Sequence, residues 1–132
     1  MRSINLVCAA LLLGVVSMAP APAVAGPAAE VNANTFYTNA RALEKKGLLA
    51  RLDSRYKPTF AQMKDAGTQA RAANEAAKKR GKPLYCVPSA ARKKGLNVEG
   101  VLNMLGALGT ETRRKLDLET AWLKALQKKY PC

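Results

Sequence analysis

The 132-residue chain is strongly basic and contains no histidine, with 22 Lys and Arg residues against 9 Asp and Glu residues and a formal net charge of +13 at pH 7. The absence of histidine removes the commonest general base and metal ligand. The acidic residues are scattered, and the two closest in sequence, Asp117 and Glu119, are placed to cap a helix. No glycine-rich phosphate-binding loop occurs. We therefore predict that the protein is not an enzyme and that it holds no cofactor and no metal ion.

Residues 1–25 have the pattern of a cleaved secretory signal peptide. Arg2 precedes an apolar run over residues 6–16, and the small residues Ala23-Val24-Ala25 follow two prolines. The run is too short for a membrane span, which needs about 20 apolar residues. We predict cleavage after Ala25, a mature chain that begins near Gly26, a periplasmic location and no transmembrane anchor.

The basic charge constrains the class of partner. Loss of Arg2 with the signal peptide leaves 21 basic and 9 acidic residues, a net charge of +12 on residues 26–132. Export disfavours nucleic acid, and the basic residues are not interleaved with the aromatic side chains on which bases could stack. The charge therefore favours an acidic protein or the anionic cell surface as the partner, and the alternative is that it serves only solubility.

Four helices and no alternating strand pattern are predicted, which indicates a single all-α domain over residues 26–132. Asn34 or Thr35 can cap the first helix, which Gly47 is expected to bend, and Pro58 suits the first turn of the second. Asn97 and Asp117 are the predicted caps of the third and fourth. The four predicted ranges are about 35–54, 58–79, 98–108 and 118–130. The predicted buried faces include Val98 and Leu102 on the third helix and Trp122 on the fourth.

The second predicted helix presents an apolar stripe that begins at Phe60, consists mostly of small side chains and contains Gly67. Glycine within a helix is less favourable than alanine by about 1 kcal/mol. We therefore expect a neighbouring helix or subunit to pack closely at Gly67, so that leucine there would destabilise the protein far more than a change at Gln69.

The cysteine count predicts one disulfide. Cys8 lies in the predicted signal peptide, so the mature chain retains Cys86 and Cys132. Two cysteines in an oxidising compartment most simply form one bond. A bond between them closes a loop that the chain-entropy account values at about 4 kcal/mol of stability.

Basic clusters occupy the two predicted loops that flank the third helix. Arg92, Lys93 and Lys94 lie in the loop over residues 87–96, and Arg113 and Arg114 lie in the polar connection over residues 109–116, which is expected to be exposed. The cluster at residues 92–94 and a further basic run at residues 78–82 could each form a recognition surface, and the alternative for each is a solvated turn.

The last third of the chain resembles the Rap/Tai family over roughly residues 59–132. The resemblance is carried by Tyr85-Cys86-Val87-Pro88, by the amphipathic run over residues 96–105, by the final helix and by the terminal Tyr130-Pro131-Cys132. Members of this family are periplasmic immunity proteins that block peptidoglycan amidase toxins delivered by type VI secretion.

The resemblance implies an all-α, often dimeric protein that occludes the active site of a cysteine amidase with a protruding loop. It also implies that Cys86 and Cys132 are disulfide partners and that Gly67 matches a glycine of the family's second helix. The chain departs from the family in lacking a second cysteine pair, with Ala61 where one of these cysteines would lie. The unusual positive charge implies an acidic partner.

The sequence-based hypothesis is therefore an immunity protein in which the loop 87–96 or the loop 109–116 covers an acidic cleft on the toxin. Arg92, Lys93, Lys94, Arg113 and Arg114 would steer the encounter and contact the rim. Two alternatives stay open. One is an exported envelope-binding module for anionic lipid or lipopolysaccharide, and the other is a small periplasmic chaperone.

Overall fold

The computed structural model describes residues 27–132, so the predicted signal peptide lies outside the described residues. Within them the chain forms seven helical segments and no strand apart from one isolated bridge between Asn32 and Asp117. The predicted all-α domain with one disulfide is confirmed. The segments are Ala33–Lys45 (α1), Gly47–Leu52 (a 3₁₀ helix), Tyr56–Lys79 (α2), Ser89–Lys94 (α3), Val98–Gly106 (α4), Thr110–Lys115 (α5) and Leu118–Lys129 (α6).

All four predicted helices are present, and the main differences lie in the connections between them. The first predicted helix ends at Lys45, because Gly47 adopts φ +54°, and the chain continues as the 3₁₀ helix. The predicted loops 87–96 and 109–116 contain the short helices α3 and α5. Helices of six residues have too few turns to show an apolar period, which explains why the pattern did not predict them.

Side-chain caps fix the starts of three helices. Asn97 Oδ1 accepts the Gly100 amide at 2.8 Å, and Asp117 Oδ1 accepts the Thr120 amide at 2.8 Å, as predicted. The cap of α1 is Asn32 instead of the expected Asn34 or Thr35, because Asn32 Oδ1 accepts the amides of both at 2.9 and 3.2 Å. The helix therefore begins two residues before the predicted start.

The core lies where α6 packs against α2, α4 and α1. Leu102, Leu105 and Leu118 are fully buried, and Trp122 is buried among them as predicted. The contribution of α2 comes mainly from alanines, with Ala66, Ala70 and Ala77 buried. These small side chains allow the backbone of α6 to approach α2 closely.

Among the described residues no neighbouring helix packs closely against Gly67, which contradicts the expected helix contact, while the alternative of a second subunit at this position stays a prediction. A Cβ atom built on Gly67 would have nothing within 4 Å outside its own helix, so the position faces open space. Phe60, also assigned to the packed stripe, is largely exposed. The buried face of α2 follows Ala66 and Ala70, and this register places Gly67 beside the core face.

A carboxylate fastens the junction between the 3₁₀ helix and α2. Asp53 Oδ2 forms ion pairs with Arg55 Nη2 at 2.8 Å and with Lys46 Nζ at 2.6 Å. Hydrogen bonds from Arg55 and Lys46 hold the pKa of the Asp53 carboxyl well below its usual range. The Lys46 and Arg55 side chains remain partly exposed, so these two ion pairs are surface interactions between neighbouring segments.

Arg113 is buried, which corrects the prediction of an exposed, partner-binding Arg113. Its side chain is only 5% exposed. The guanidinium donates from Nη1 to the carbonyl oxygens of Leu105 and Gly106 at 3.1 and 3.2 Å. These carbonyls belong to the last turn of α4, where the helix dipole favours a cation.

The same guanidinium also contacts α1 and its own helix. Nε donates to Asn34 Oδ1 at 3.3 Å, and Nη2 donates to Thr110 Oγ1 at 3.2 Å. The guanidinium carbon lies 4.0 Å from the centroid of the Tyr37 ring, in cation–π geometry. Arg113 therefore joins α1, α4 and α5 through one side chain.

We expect Arg113→Met to lower the free energy of unfolding by about 3 kcal/mol, because it leaves carbonyl groups at the end of α4 without a donor. Arg114→Met is the matched control, since the Arg114 side chain is 63% exposed and pairs only with an exposed Glu111. The control should change stability by less than about 0.5 kcal/mol. Denaturant unfolding of both variants measures the difference, and equal losses would contradict the role given to Arg113.

Candidate functional site

A basic arm, residues 87–96, is the most exposed feature of the second half of the chain. It contains α3, none of whose residues is buried, and α3 is terminated by Gly95, which adopts φ +72°. Arg92, Lys93 and Lys94 are all exposed along α3. The arm therefore presents three of the five predicted partner-binding residues on one short helix.

The base of the arm is held firmly. Cys86 and Cys132 form the predicted disulfide, and the Cys86 amide donates to the Tyr130 carbonyl at 2.8 Å. On the α2 side, Asn74 Oδ1 accepts the backbone amides of Leu84 and Tyr85 at 2.7 and 3.1 Å. The arm thus projects from a base that is attached to both α2 and the C-terminus.

Tyr85 is the buried anchor at the start of this segment. Its carbonyl accepts Asn74 Nδ2 at 3.0 Å, and its ring belongs to the core cluster. Burial raises the pKa of the Tyr85 hydroxyl, while the nearby Arg71 opposes this shift. The aromatic side chain therefore contributes apolar packing and stays neutral at physiological pH.

Exposed apolar side chains follow the basic residues of the arm directly. Leu96 at the end of the arm and Val98 at the start of α4 are both exposed. Sequence reasoning assigned Val98 to the buried face of its helix, but the core face of α4 is formed by Leu102, Met104 and Leu105. Cationic and apolar groups thus lie side by side at this end of the molecule.

The two residues of the second predicted cluster, Arg113 and Arg114, lie in different environments. Arg113 is buried, and Arg114 is exposed and paired with Glu111 at 3.2 Å. Helix α5 packs on α1 and α6, whereas the arm lies over one side of α2. The two clusters therefore occupy different parts of the fold, and only the arm is a free basic projection.

An open cleft of about 720 Å³ lies between the arm and α2, and we call it the arm cleft. Core side chains of α6, including Trp122 and Leu126, contribute to its apolar lining. Three cations and one acid contribute charge, namely Arg71, Lys78, Arg92 and Glu75. Sequence reasoning missed this cleft because its lining comes from separate segments that only the tertiary fold brings together.

A second surface, the apolar edge, consists of Leu48, Leu49, Leu52 and Phe60. Leu48 is 88% exposed and Leu52 is 84% exposed on the 3₁₀ helix. A mainly apolar groove of about 590 Å³ runs beside them towards α4. Sequence reasoning placed these leucines in a continuous first helix, and the turn at Gly47 directs them outward.

Neither cleft offers a ready metal site. Across the described residues 27–132, no group of three or more cysteine or acidic side chains is arranged to hold a metal ion.

No helix among the described residues is both long and apolar enough to cross a bilayer.

Comparison with protein-family models, with curated proteins and with solved structures found no match to this chain.

We expect reduction of the Cys86–Cys132 bond to lower the free energy of unfolding by up to about 4 kcal/mol, because the bond closes a long loop in the unfolded chain. Denaturant unfolding with and without reductant measures the loss. The double variant Cys86→Ala/Cys132→Ala is the control, since reductant should leave its stability unchanged. Identical unfolding curves for oxidised and reduced protein would contradict the prediction.

Proposed function

We propose that this chain is a periplasmic immunity protein that binds and occludes a peptidoglycan amidase toxin delivered by type VI secretion. The observation that carries the proposal is the basic arm. It has no buried residue in α3, yet its base is held by a disulfide and by Asn74. A rigidly based, exposed projection suits insertion into the cleft of another protein. The Rap/Tai resemblance supplies the identity of the target.

The arm supplies both kinds of contact that such an interface requires. Arg92, Lys93 and Lys94 would attract an acidic surface and accelerate the encounter. Leu96 and Val98 are exposed apolar groups that would be buried on contact, and buried apolar anchors usually supply most of the binding energy. Inhibition then needs only steric coverage of the active site and no chemistry from this protein.

The burial of Arg113 favours the arm over the loop 109–116 as the inhibitory element. Of the two basic residues predicted there, only Arg114 is exposed, and Glu111 partly neutralises it. An inhibitory element that projects from the fold should be free of such structural contacts. The arm meets this requirement and α5 does not.

The direct test is affinity capture with the oxidised mature protein, residues 26–132, against the secreted and envelope proteins of its own organism. The expected result is one stoichiometric amidase, retained in high salt and inhibited on binding. Recovery of anionic lipid, lipopolysaccharide or many acidic proteins, all released by salt, would overturn the proposal and favour the envelope-binding module. Suppressed aggregation of many unrelated clients would favour the chaperone instead.

We expect charge reversal of the arm, in the triple variant Arg92→Glu, Lys93→Glu and Lys94→Glu, to slow association with the captured amidase about ten-fold or more at low salt. The salt dependence of the association rate should flatten, because steering by these charges is lost. Stopped-flow or surface plasmon resonance measures the rate.

The matched control for the arm is the double variant Arg114→Glu/Lys115→Glu on α5. It lowers the net charge by 4, against 6 for the arm variant, and its charges lie away from the proposed contact, so it should slow association less than the arm variant does at the same salt concentration. An unchanged association rate in the arm variant, or a larger effect in the α5 variant, would contradict the assignment of the arm as the toxin-binding element.

The proposed homodimer has a candidate surface in the apolar edge. Exposed apolar patches of this kind are characteristic of protein contacts. The groove beside the edge is lined in part by Leu96 and Val98, whereas Arg92, Lys93 and Lys94 do not line it. Each mature copy carries a net charge of +12, so the copies repel one another. We therefore propose that the dimer forms through apolar contact and strengthens with salt.

We expect sedimentation velocity to show a concentration-dependent dimer that becomes more populated as salt is raised. The double variant Leu48→Ser/Leu52→Ser should remain monomeric and melt no lower than the original protein, since both side chains are solvated in the monomer. A dimer that persists unchanged in this variant would place the contact elsewhere.

A further inference from the structure

The arm cleft combines an apolar interior with a cationic rim. Trp122 and Leu126 line it from α6, and Met63 lines it from α2. Its volume of about 720 Å³ is within the range of small-molecule sites in proteins. Such a lining suits a ligand with an apolar body and a charged end.

The glycine at position 67 leaves volume in the arm cleft that a larger side chain would occupy. Glycine is the least favourable residue for a helix interior apart from proline, and Gly67 lies near the middle of the 24-residue α2. Among residues 27–132, no atom outside that helix would contact a Cβ atom there within 4 Å, so packing within this part of the chain does not require glycine. Because Gly67 lines the cleft, a larger side chain would occupy its volume.

The charges on the rim favour an anion. Arg71, Lys78 and Arg92 face a single acid, Glu75. Within residues 27–132, the salt bridges involve other cations, so none of these three is neutralised by an ion pair. An anionic group at the rim would meet three donors that keep their full charge.

The residues that line the arm cleft offer few hydrogen-bond partners to a peptide backbone. Asn74 is the only carboxamide on it, and its oxygen accepts two backbone amides while its nitrogen donates to the Tyr85 carbonyl. A bound peptide would therefore leave most of its own amides without partners. A molecule whose polar groups are confined to one end fits the cleft better.

We propose that the arm cleft binds a single-chain anionic amphiphile. Its apolar chain would lie across Gly67 against Trp122 and Leu126, and its carboxylate or phosphate would contact Arg71, Lys78 and Arg92. This site is additional to the amidase-binding surface proposed above. It would be a small-molecule site at the base of the arm.

Trp122 provides the readout for the test. It is the only tryptophan of the chain, lines the cleft and is 3% exposed. Decanoate, added below its micelle concentration to the oxidised mature protein, should change the tryptophan fluorescence saturably, with one site by calorimetry. Decyl maltoside carries a similar chain without charge, and it should bind about ten-fold or more weakly because the charge-assisted contacts are absent. Inorganic phosphate alone should not saturate the signal.

Two sets of variants locate the site. Gly67→Leu should fold, melt no lower than the original protein and weaken decanoate binding about ten-fold or more, since the new side chain fills the cleft. Ala72→Leu is its control, because Ala72 is an exposed α2 residue outside the cleft lining. Arg71→Gln/Lys78→Gln should also weaken binding, whereas Lys79→Gln/Arg80→Gln should not.

The proposal is overturned if decyl maltoside binds as tightly as decanoate, or if folded Gly67→Leu binds decanoate normally. It is also overturned if Leu48→Ser/Leu52→Ser abolishes binding, because the ligand would then occupy the apolar edge. Tighter saturable binding of an acidic peptide than of decanoate would equally contradict it. Should Gly67→Leu fail to fold, the Arg71→Gln/Lys78→Gln variant and the neutral amphiphile still decide the outcome. Failure here leaves the amidase capture experiment unaffected, so the two proposals are tested separately.

Discussion

The buried guanidinium of Arg113 is the contact on which the arrangement of α1, α4 and α5 depends. It occupies the C-terminal end of α4, donates to α1 and lies against the ring of Tyr37. No carboxylate pairs with it within the described residues. Carbonyl oxygens, the helix dipole and an aromatic face stabilise the charge instead. The basic arm joins the opposite, N-terminal end of α4, so the contact restrains the helix to which the arm returns.

The other end of the arm is fixed by a different set of bonds. The disulfide to Cys132 and the three hydrogen bonds of Asn74 hold the segment that precedes it. With both ends restrained, the intervening residues 87–96 can stay exposed without contributing to the core. The same restraint keeps the arm over α2 and so leaves the arm cleft open. The proposed amidase contact and the proposed amphiphile site thus depend on the same restrained segment, and they share Arg92.

Sequence reasoning was most successful where the physical signal is local. The caps Asn97 and Asp117 and the apolar faces around Leu102 and Trp122 follow from side-chain chemistry within a few residues of each helix start or turn. The disulfide followed from the number of cysteines outside the predicted signal peptide. Arg113 and Gly67 were misjudged because a polar side chain in a short connection, or a glycine among small residues, has no local pattern that reveals what another helix places beside it.

The sequence by itself determined the all-α class, the disulfide, the basic charge and the exposed triplet Arg92, Lys93 and Lys94, because these depend on composition and short-range periodicity. Only the tertiary structure decided that Arg113 is buried, that Leu48 and Leu52 face outward and that Gly67 opens into a cleft. Each of these outcomes depends on the relative placement of helices that are far apart in the chain. The packing of α6 against α2 and of α5 against α1 sets that placement, and no single segment of sequence encodes it.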